Sequence, residues 1–455
     1  DGGVQVRFGG RAIQDTRLGG QMLRDEDGNH VYYDKDNYIW NPLELKAMQV
    51  NPWGSYIQNR SLNGYMKIGI PLNEDNSQNI AMVGDLNYHS MNSYFGATKY
   101  LADQASAYGN LLYQNHMNES HKFTLGASAL YDRYVERYER KIWFNALPNV
   151  SGIPNPLTQM ATAGIFGEYT FHAGDKFTSI IGLRGDWYKK SGTEITGRFS
   201  PRITLKYMPI EEIVIRANGG RGIRYATPLI DNIGVFSTGK LITGEYANHI
   251  LEDAWTLGGN ITYYMPFGAS SNTYLSFDYF RTQFAQQMVV DYEYGMNEIY
   301  FYSLDGNRSY TDNYQLDFSV DPIERFNITA TFRYTNAKIE LAGQGLVEKP
   351  MTSRFKGVLN MQYATNLNKW IFDFTASLNG SCRVYNFMEE FYEDGRTPVY
   401  PLLYAQVTRR FKGWDVYAGV ENMTNFRQKD VILGSVKDAD GFVNPRQASF
   451  DASCI

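Results

Sequence analysis

Glu324–Tyr334, E-R-F-N-I-T-A-T-F-R-Y, decides how the rest of the chain is read. Phe326, Ile328, Ala330, Phe332 and Tyr334 fall on one face of this stretch. Asn327, Thr329, Thr331 and Arg333 fall on the other. An extended chain imposes this period of two, and no helical spacing fits it. A strand of a soluble sandwich alternates in the same way. What separates the two readings is repetition of the pattern down the chain, with aromatics at the ends of the apolar stripe.

Outward from that stretch, Gly3–Ile13, Trp53–Leu72, Gln78–Phe95, Gln104–Gln114 and Lys122–Tyr138 read as strands. So do Ala161–Phe171, Lys176–Tyr188, Ile195–Tyr207 and Ile213–Gly222. Glu252–Tyr264 and Asn272–Phe280 form a pair, Gln286–Tyr292 and Glu298–Ser303 a shorter one, and Ser309–Val320 precedes the opening stretch. Arg354–Tyr363, Trp370–Gly380, Leu402–Phe411 and Trp414–Asn422 bring the count to about 20 strands. Short turns (Leu72–Ser77, His116–His121, His172–Asp175, Met208–Glu212, Asp321–Glu324) alternate with long loops. The longest of these are Gln14–Asn51, Glu139–Gln159, Tyr225–His249, Arg383–Tyr400 and Met423–Arg446.

One plain rim and one elaborate rim are the signature of a barrel. A propeller or stacked sandwiches would show a four-strand repeat or a linker, and the chain has neither. Many strands reach the roughly 9–11 residues that cross a bilayer at a tilt. Trp370, Phe372, Phe374, Ala376 and Leu378 give an apolar face, and Asp373, Thr375 and Ser377 a polar one. The expected fold is therefore all-β: a large antiparallel transmembrane β-barrel occupying residues 1–455 as one domain.

Lys and Arg total 43 against 48 Asp and Glu, a net charge of −5. That leaves no basic footprint for nucleic acid. No run of 18 apolar residues exists, which removes a helical membrane span but not a barrel with a polar lumen. The 35 Tyr and 26 Phe suit aromatic girdles. Two cysteines, Cys382 and Cys454, build neither a disulfide framework nor a zinc site and read as free thiols. Asp1-Gly2-Gly3 runs straight into a strand without a signal peptide, and Ala448–Ile455 stops inside an alternating segment. The sequence reads as a piece of a longer protein with its last strand truncated.

Trp414–Gly434 contains E-N-M-T-N, in which Glu421, Asn422 and Asn425 match an E-N-hydrophobe-x-N element. That segment resembles the C-terminal barrel signature of TonB-dependent outer-membrane receptors. Gly164–Thr170 (G-I-F-G-E-Y-T), Gly182–Trp187, Ser200–Tyr207, Arg216–Arg224 and Phe280–Asp291 are similar to the same family, particularly its Bacteroidetes branch. The resemblance implies a barrel of about 22 strands with a plugged lumen. About two strands, the N-terminal plug and the TonB-contacting box are then absent from the given sequence. It also implies the outer membrane of a Gram-negative bacterium. The implied partners are the lipid bilayer, the protein's own plug domain, the TonB–ExbB–ExbD energy-coupling complex and a small-molecule substrate, with a surface lipoprotein as a further candidate.

Catalytic motifs are missing: no G-x-S-x-G, H-E-x-x-H, C-x-x-C or phosphate-cradling Gly loop occurs. The chain is not expected to be an enzyme or to carry a cofactor. His116, Met117 and His121 share one turn and read as solvated rather than metal-binding. The acidic run Asp25-Glu26-Asp27-Gly28-Asn29 does not complete a Ca²⁺ loop pattern and reads as a solvated loop.

Binding candidates remain. Arg184, Asp186, Arg216, Asp278, Asp373 and Glu421 lie on polar faces and are expected to meet a plug, since charges inside a barrel must be solvated or paired. Arg221 and Arg224, which lead into the Tyr225–His249 loop, and Arg333 lie nearer the elaborate rim and are expected along the path of cargo. Among the loop aromatics (Trp53, Phe144 and Phe391 included), Trp40, Trp143, Tyr225, Tyr246, Tyr385, Phe387 and Tyr392 suit a small amphipathic cargo. They equally suit packing of loop on loop. By resemblance the expected function is active import of a scarce nutrient, with a ferric siderophore or haem favoured and cobalamin a third candidate. The alternatives are a passive porin-like channel, an importer of larger glycan or peptide cargo, a soluble β adhesin and a barrel enzyme.

Overall fold

The computed structural model describes residues 3–20, 23–24, 30–31, 54–95, 98–140, 150–151, 157–238, 240–269, 273–295, 298–306, 308–386, 393–427, 433–434 and 449–450. The alternating stretches form one sheet of 21 strands, against the roughly 20 expected. Four of these are short segments at the elaborate rim (Val150–Ser151, Leu241–Gly244, Glu298–Asp305, Gly345–Glu348). The others are the staves of the wall. They begin with β1 (Gln5–Gly20), β2 (Gly54–Pro71), β3 (Gln78–Phe95), β4 (Thr98–His116), β5 (His121–Arg140) and β6 (Leu157–Ala173). Then come β7 (Phe177–Lys190), β8 (Thr196–Ile210), β9 (Ile213–Tyr225), β10 (Leu251–Tyr264), β11 (Tyr274–Gly295) and β12 (Tyr310–Ile323). The series ends with β13 (Phe326–Leu341), β14 (Phe355–Ala364), β15 (Trp370–Asn379), β16 (Tyr400–Arg410) and β17 (Asp415–Val420).

Each stave pairs antiparallel with the next, from β1–β2 through β16–β17. The register keeps like faces together. Phe332 stands opposite Leu316 on one ladder and Gly357 on the other, and Thr331 opposite Asp317 and Val358.

The apolar stripe is on the outside. Leu257 is 60% exposed and Phe332 47%, values no soluble core would tolerate over so many strands. The opposite face is laced with polar contacts: Thr331 donates to Asp317 at 2.6 Å and Asn327 to Asp321 at 2.7 Å. Sequence alternation thus becomes an inverted protein, polar within and apolar without.

Strand extents differ from the sequence reading at several points; Ala337–Met351, for one, reads as loop, yet β13 runs on to Leu341 and Gly345–Glu348 pairs back onto it. The expected loop before Gln104 is wall, because β3 and β4 pair up to Phe95↔Thr98. Tyr100 and Ala102 are buried there by contacts the local pattern cannot show. The stretch Gln14–Gly20, read as loop, continues β1 through backbone pairing with Gly54–Arg60. Tyr274–Phe280 and Gln286–Tyr292 are not separate strands; they belong to β11, whose second half pairs with Glu298–Asp305.

The loops of the elaborate rim are tied by charge. Glu348 accepts hydrogen bonds from Arg354 Nη2 at 2.6 Å and Arg396 Nη2 at 2.9 Å. Arg383 reaches the Glu348 carbonyl at 2.9 Å and the buried Glu293 carboxylate at 2.5 Å. Burial alone would raise the Glu348 carboxyl, but the hydrogen bonds and charges of Arg396 and Arg354 hold it at about 2, below its ordinary 4.5.

Two outcomes follow from this architecture. Phe332→Arg, with a cation on the lipid face, lowers the unfolding free energy in lipid by about 2–4 kcal/mol, whereas Thr329→Arg on the polar face costs far less. Urea titration of both variants checks the ranking, and equal costs would contradict the inverted wall. The Glu348 tie is complete above pH 4.5 and is lost as pH falls towards about 2. Hydrogen-exchange protection of 345–354, taken relative to the intrinsic rate at each pH, should therefore fall over that window in the parent and show no such step in Glu348→Gln.

Candidate functional site

Among the described residues, the loop between β9 and β10 is the most folded connection. Thr227-Pro228 starts a short helix, α1 (Pro228–Asp231), with proline in the first turn, where its missing N–H costs nothing. A 3₁₀ turn follows over Ile233–Ser237. Leu241–Gly244 then runs parallel to Glu298–Phe301 of the raised hairpin. Leu229, Val235 and Phe236 are at most 2% exposed. Burying each such side chain stabilises by about 1.5–3 kcal/mol.

These residues are buried against two stretches of the wall. The Phe236 ring lies 4.5 Å from that of Tyr100 on β4 and 5.4 Å from that of Tyr138 on β5. Phe95 of β3 completes the cluster at 6.2 Å. On the other side Ile242 packs with Met288, Ile299 and Phe301. The loop is a strap from the β3–β5 wall to β11.

Polar contacts fix the root of the strap. His249 is 3% exposed; its Nε2 lies 3.2 Å from Glu136 Oε2 and its Nδ1 donates to the Ala226 carbonyl at 2.9 Å. Tyr100 donates its hydroxyl to the other Glu136 oxygen at 2.5 Å. Lys190 Nζ donates to Asn248 Oδ1 at 2.9 Å and to the His249 carbonyl at 3.1 Å.

A chamber lies on each side of the strap. The larger, about 450 Å³, is bounded by β4–β9 and lined by Tyr108, Tyr134, Tyr188, Tyr225 and the guanidinium groups of Arg184, Arg221 and Arg224. The smaller, about 310 Å³, includes Glu252, Met288, Tyr292, Lys349 and Tyr385 in its lining. Arg224 borders both, held by Glu252 at 2.8 Å and Asp231 at 3.1 Å. A guanidinium carries five N–H donors, so these pairings leave donors over. Faces of Tyr rings beside such donors suit a small molecule with a flat apolar part and several acceptors. Among the described residues no group of three His, Cys, Asp or Glu could hold a metal ion.

The residues singled out in sequence divide between these features. Arg221, Arg224 and Tyr225 line the larger chamber together with Arg184 and Asp186, and Tyr385 lines the smaller. Arg221 is bound to Asp253 at 2.5 Å and lies over Trp255. Tyr246 packs edge-on against Phe301 within the strap cluster. Arg333 is exposed on the polar face, opposite Lys356. Trp40, Trp53, Trp143, Phe144, Phe387, Phe391 and Tyr392 lie outside the described residues, as does Asp25–Asn29.

Most polar-face groups expected to meet a plug bond along the wall. Arg184 Nε donates to Asp186 Oδ2 at 2.7 Å, and its Nη2 to Ser128 at 2.8 Å. Gly164 makes room for that pair, because a Cβ there would sit 2.0 Å from Asp186 Oδ1. Asn260 links Arg216 at 3.0 Å to Asp278 at 2.9 Å, and Gln362 donates to Asp373 at 2.6 Å. Glu421 is exposed beside Asn422, whose left-handed backbone (φ 49°) and two bonds to Phe426 turn the chain after β17. Sequence reasoning missed Phe236, Glu136 and His249. One signal was available: Tyr134 and Tyr138 sit on the stave face that carries the polar groups, where a lumen wall has no need of two aromatic rings.

A scan against family models matches residues 5–423 to the model described as TonB dependent receptor-like, beta-barrel. Solved structures share the fold. They include the siderophore receptor PiuA from Acinetobacter baumannii, at TM-score 0.58 and 10% identity, covering 82% of this chain and 61% of that one. The ferric-catecholate import receptor Fiu from K12 E. coli gives TM-score 0.60 and 13% identity over 92% and 68%. P. aeruginosa FpvA bound to heterologous pyoverdines gives 0.65 and 11% over 93% and 59%. The chain thus spans under two thirds of the length of PiuA and FpvA. No curated protein matches. With the family model covering nearly all of the wall, the chain belongs to the TonB-dependent receptor β-barrel family.

Proposed function

We propose that this chain is the wall and outer mouth of an outer-membrane importer that captures a scarce small nutrient before its energy-driven passage inward. The observation that carries the reading is the larger chamber at the loop-bearing rim, walled by four tyrosines and three guanidinium groups. Its size and donor-rich lining suit an acceptor-rich small cargo. A ferric siderophore or haem is favoured over cobalamin, and the neighbours named for siderophores support that preference by analogy of fold. The strap makes an open passive channel the weaker reading.

In this reading the elaborate rim faces outward. The remaining partners are a plug within the lumen, the TonB–ExbB–ExbD complex pulling on it from the periplasm, and a surface lipoprotein as an accessory. β1 and β17 are each paired on one side only among the described residues, and further strands of a closed barrel pair at those edges. The family and its neighbours are receptors and transporters, and no enzymatic role is proposed.

Native mass spectrometry of the full-length protein, purified from outer membranes, should reveal a retained iron-bearing small molecule. Recovery in the soluble fraction without a heat-dependent gel shift would overturn the reading. Arg224→Ala should then weaken binding of the identified species about ten- to a hundredfold, the worth of one hydrogen bond to a charged group. An unchanged affinity would remove the larger chamber from the binding path.

A further inference from the structure

We propose that the plain-rim ends of β15, β16 and β17 seat one anionic phospholipid of the periplasmic leaflet, with Arg409 holding its phosphodiester. Arg409 stands opposite Trp370 on one ladder and Val416 on the other. Trp370 continues the apolar, outward face of β15, so Arg409 is on the lipid side of the wall, at the short-turn end of its stave. The Arg409 guanidinium lies over the Trp370 ring at 4.9 Å and the Phe411 ring at 5.3 Å. Phe411 stacks in turn on Trp414 at 4.2 Å, and Trp370, Phe411, Trp414 and Val416 are all exposed.

Such rings suit the boundary between hydrocarbon and headgroups, where an apolar body and a polar edge are both accommodated. Rings over a guanidinium leave its N–H groups to bond along its edge. Among the described residues no side-chain hydrogen bond or ion pair occupies the Arg409 donors. The paired oxygens of a phosphodiester match that edge two by two.

Charge gathers at the same place. Residues 365–370 and 409–416 hold four basic side chains (Lys369, Arg409, Arg410 and Lys412) and one acidic one, Asp415. Arg410 takes Asp415 at 3.3 Å, which leaves the other three without a carboxylate among the described residues. The Arg410 N–H bonds to the Lys369 carbonyl at 2.9 Å, and the Phe411 N–H to that of Trp414, so the two turns lie side by side. Elsewhere the short turns are acidic, balanced or, after β10, uncharged. Glu74 and Asp75 follow β2, Glu119 follows β4, and Glu211 and Glu212 follow β8, while Asp175 is offset by Lys176 and Glu324 by Arg325. Cations beside lipid draw anionic headgroups, each basic residue adding to the attraction. A net-anionic headgroup gains from all three cations, a zwitterionic one from the phosphate contact alone.

The proposal rests on the outer-membrane reading above but on no cargo. A chain recovered in the soluble fraction fails that reading; a barrel extracted from membranes that shows no lipid preference fails this proposal alone. The full-length protein, extracted from outer membranes and stripped of lipid in detergent, is titrated separately with phosphatidylglycerol and phosphatidylcholine. Native mass spectrometry counts the bound lipid. One phosphatidylglycerol should bind at least about tenfold more tightly than phosphatidylcholine.

Arg409→Gln should bring the two lipids within about twofold of each other. Lys369→Gln with Lys412→Gln should weaken phosphatidylglycerol alone, and Arg325→Gln on a neighbouring turn should leave the preference as it is. Equal affinity of the parent for the two lipids overturns the proposal, whether or not the variants fold. A preference lost equally in Arg325→Gln overturns it too, because the attraction would then belong to the rim as a whole. Displacement of phosphatidylglycerol by inorganic phosphate has the same force, since the site would then take a free anion.

Discussion

Where one face of a sheet meets hydrocarbon, no water is available to bond its backbone. Every N–H and C=O must then find a partner in the next strand. The continuous ladder from β1 to β17 is the answer this chain gives. Everything else follows from it. Register is fixed because a slip of β13 by one residue would carry Phe332 inward and Thr331 outward. Polar side chains are confined to the inner face, where they bond to one another. Apolar clustering is displaced from the centre of the molecule to the mouth, where the loops alone are free to fold inward.

That displacement explains how the site is built. A soluble domain places its core at the centre and its binding residues on the rim of a cleft. Here the buried clusters and the chambers share the same end, and the strap belongs to both. Phe236 and Val235 give it a core of its own, and Arg224, Asp231 and Glu252 give it a charged root. The guanidinium groups beside the chambers are held by carboxylates: Arg184 by Asp186, Arg221 by Asp253, and Arg224 by Glu252 and Asp231.

The fold was legible because a period of two is a local property. Phe326 to Tyr334 announces its faces without knowledge of any neighbour, and so do Trp370 to Leu378. What could not be read depends on distant contacts. Thr98–Asp103 is wall because Tyr100 packs on a phenylalanine 136 positions away, and Gln14–Gly20 is wall because β2 supplies its hydrogen bonds. Arg224 and Tyr225 were legible as binding candidates from their place before a long loop. Arg221 was singled out on the same ground, but its hold on Asp253, 32 residues distant, was not visible. Glu136 and His249 gave no sign of each other, since charge pairs across a barrel mouth leave no spacing in sequence.

The central claim is that the opening stretch is lined by lipid on one face and by the lumen on the other. Spin labels placed singly at each position from 326 to 334, in the protein reconstituted into bilayers, read this directly through collision with oxygen and with a water-soluble nickel chelate. The account predicts a strict alternation: oxygen access maximal at 326, 328, 330, 332 and 334, and nickel access maximal at 327, 329, 331 and 333. Nickel access that is high at every position would contradict it, because both faces of the strand would then be in water.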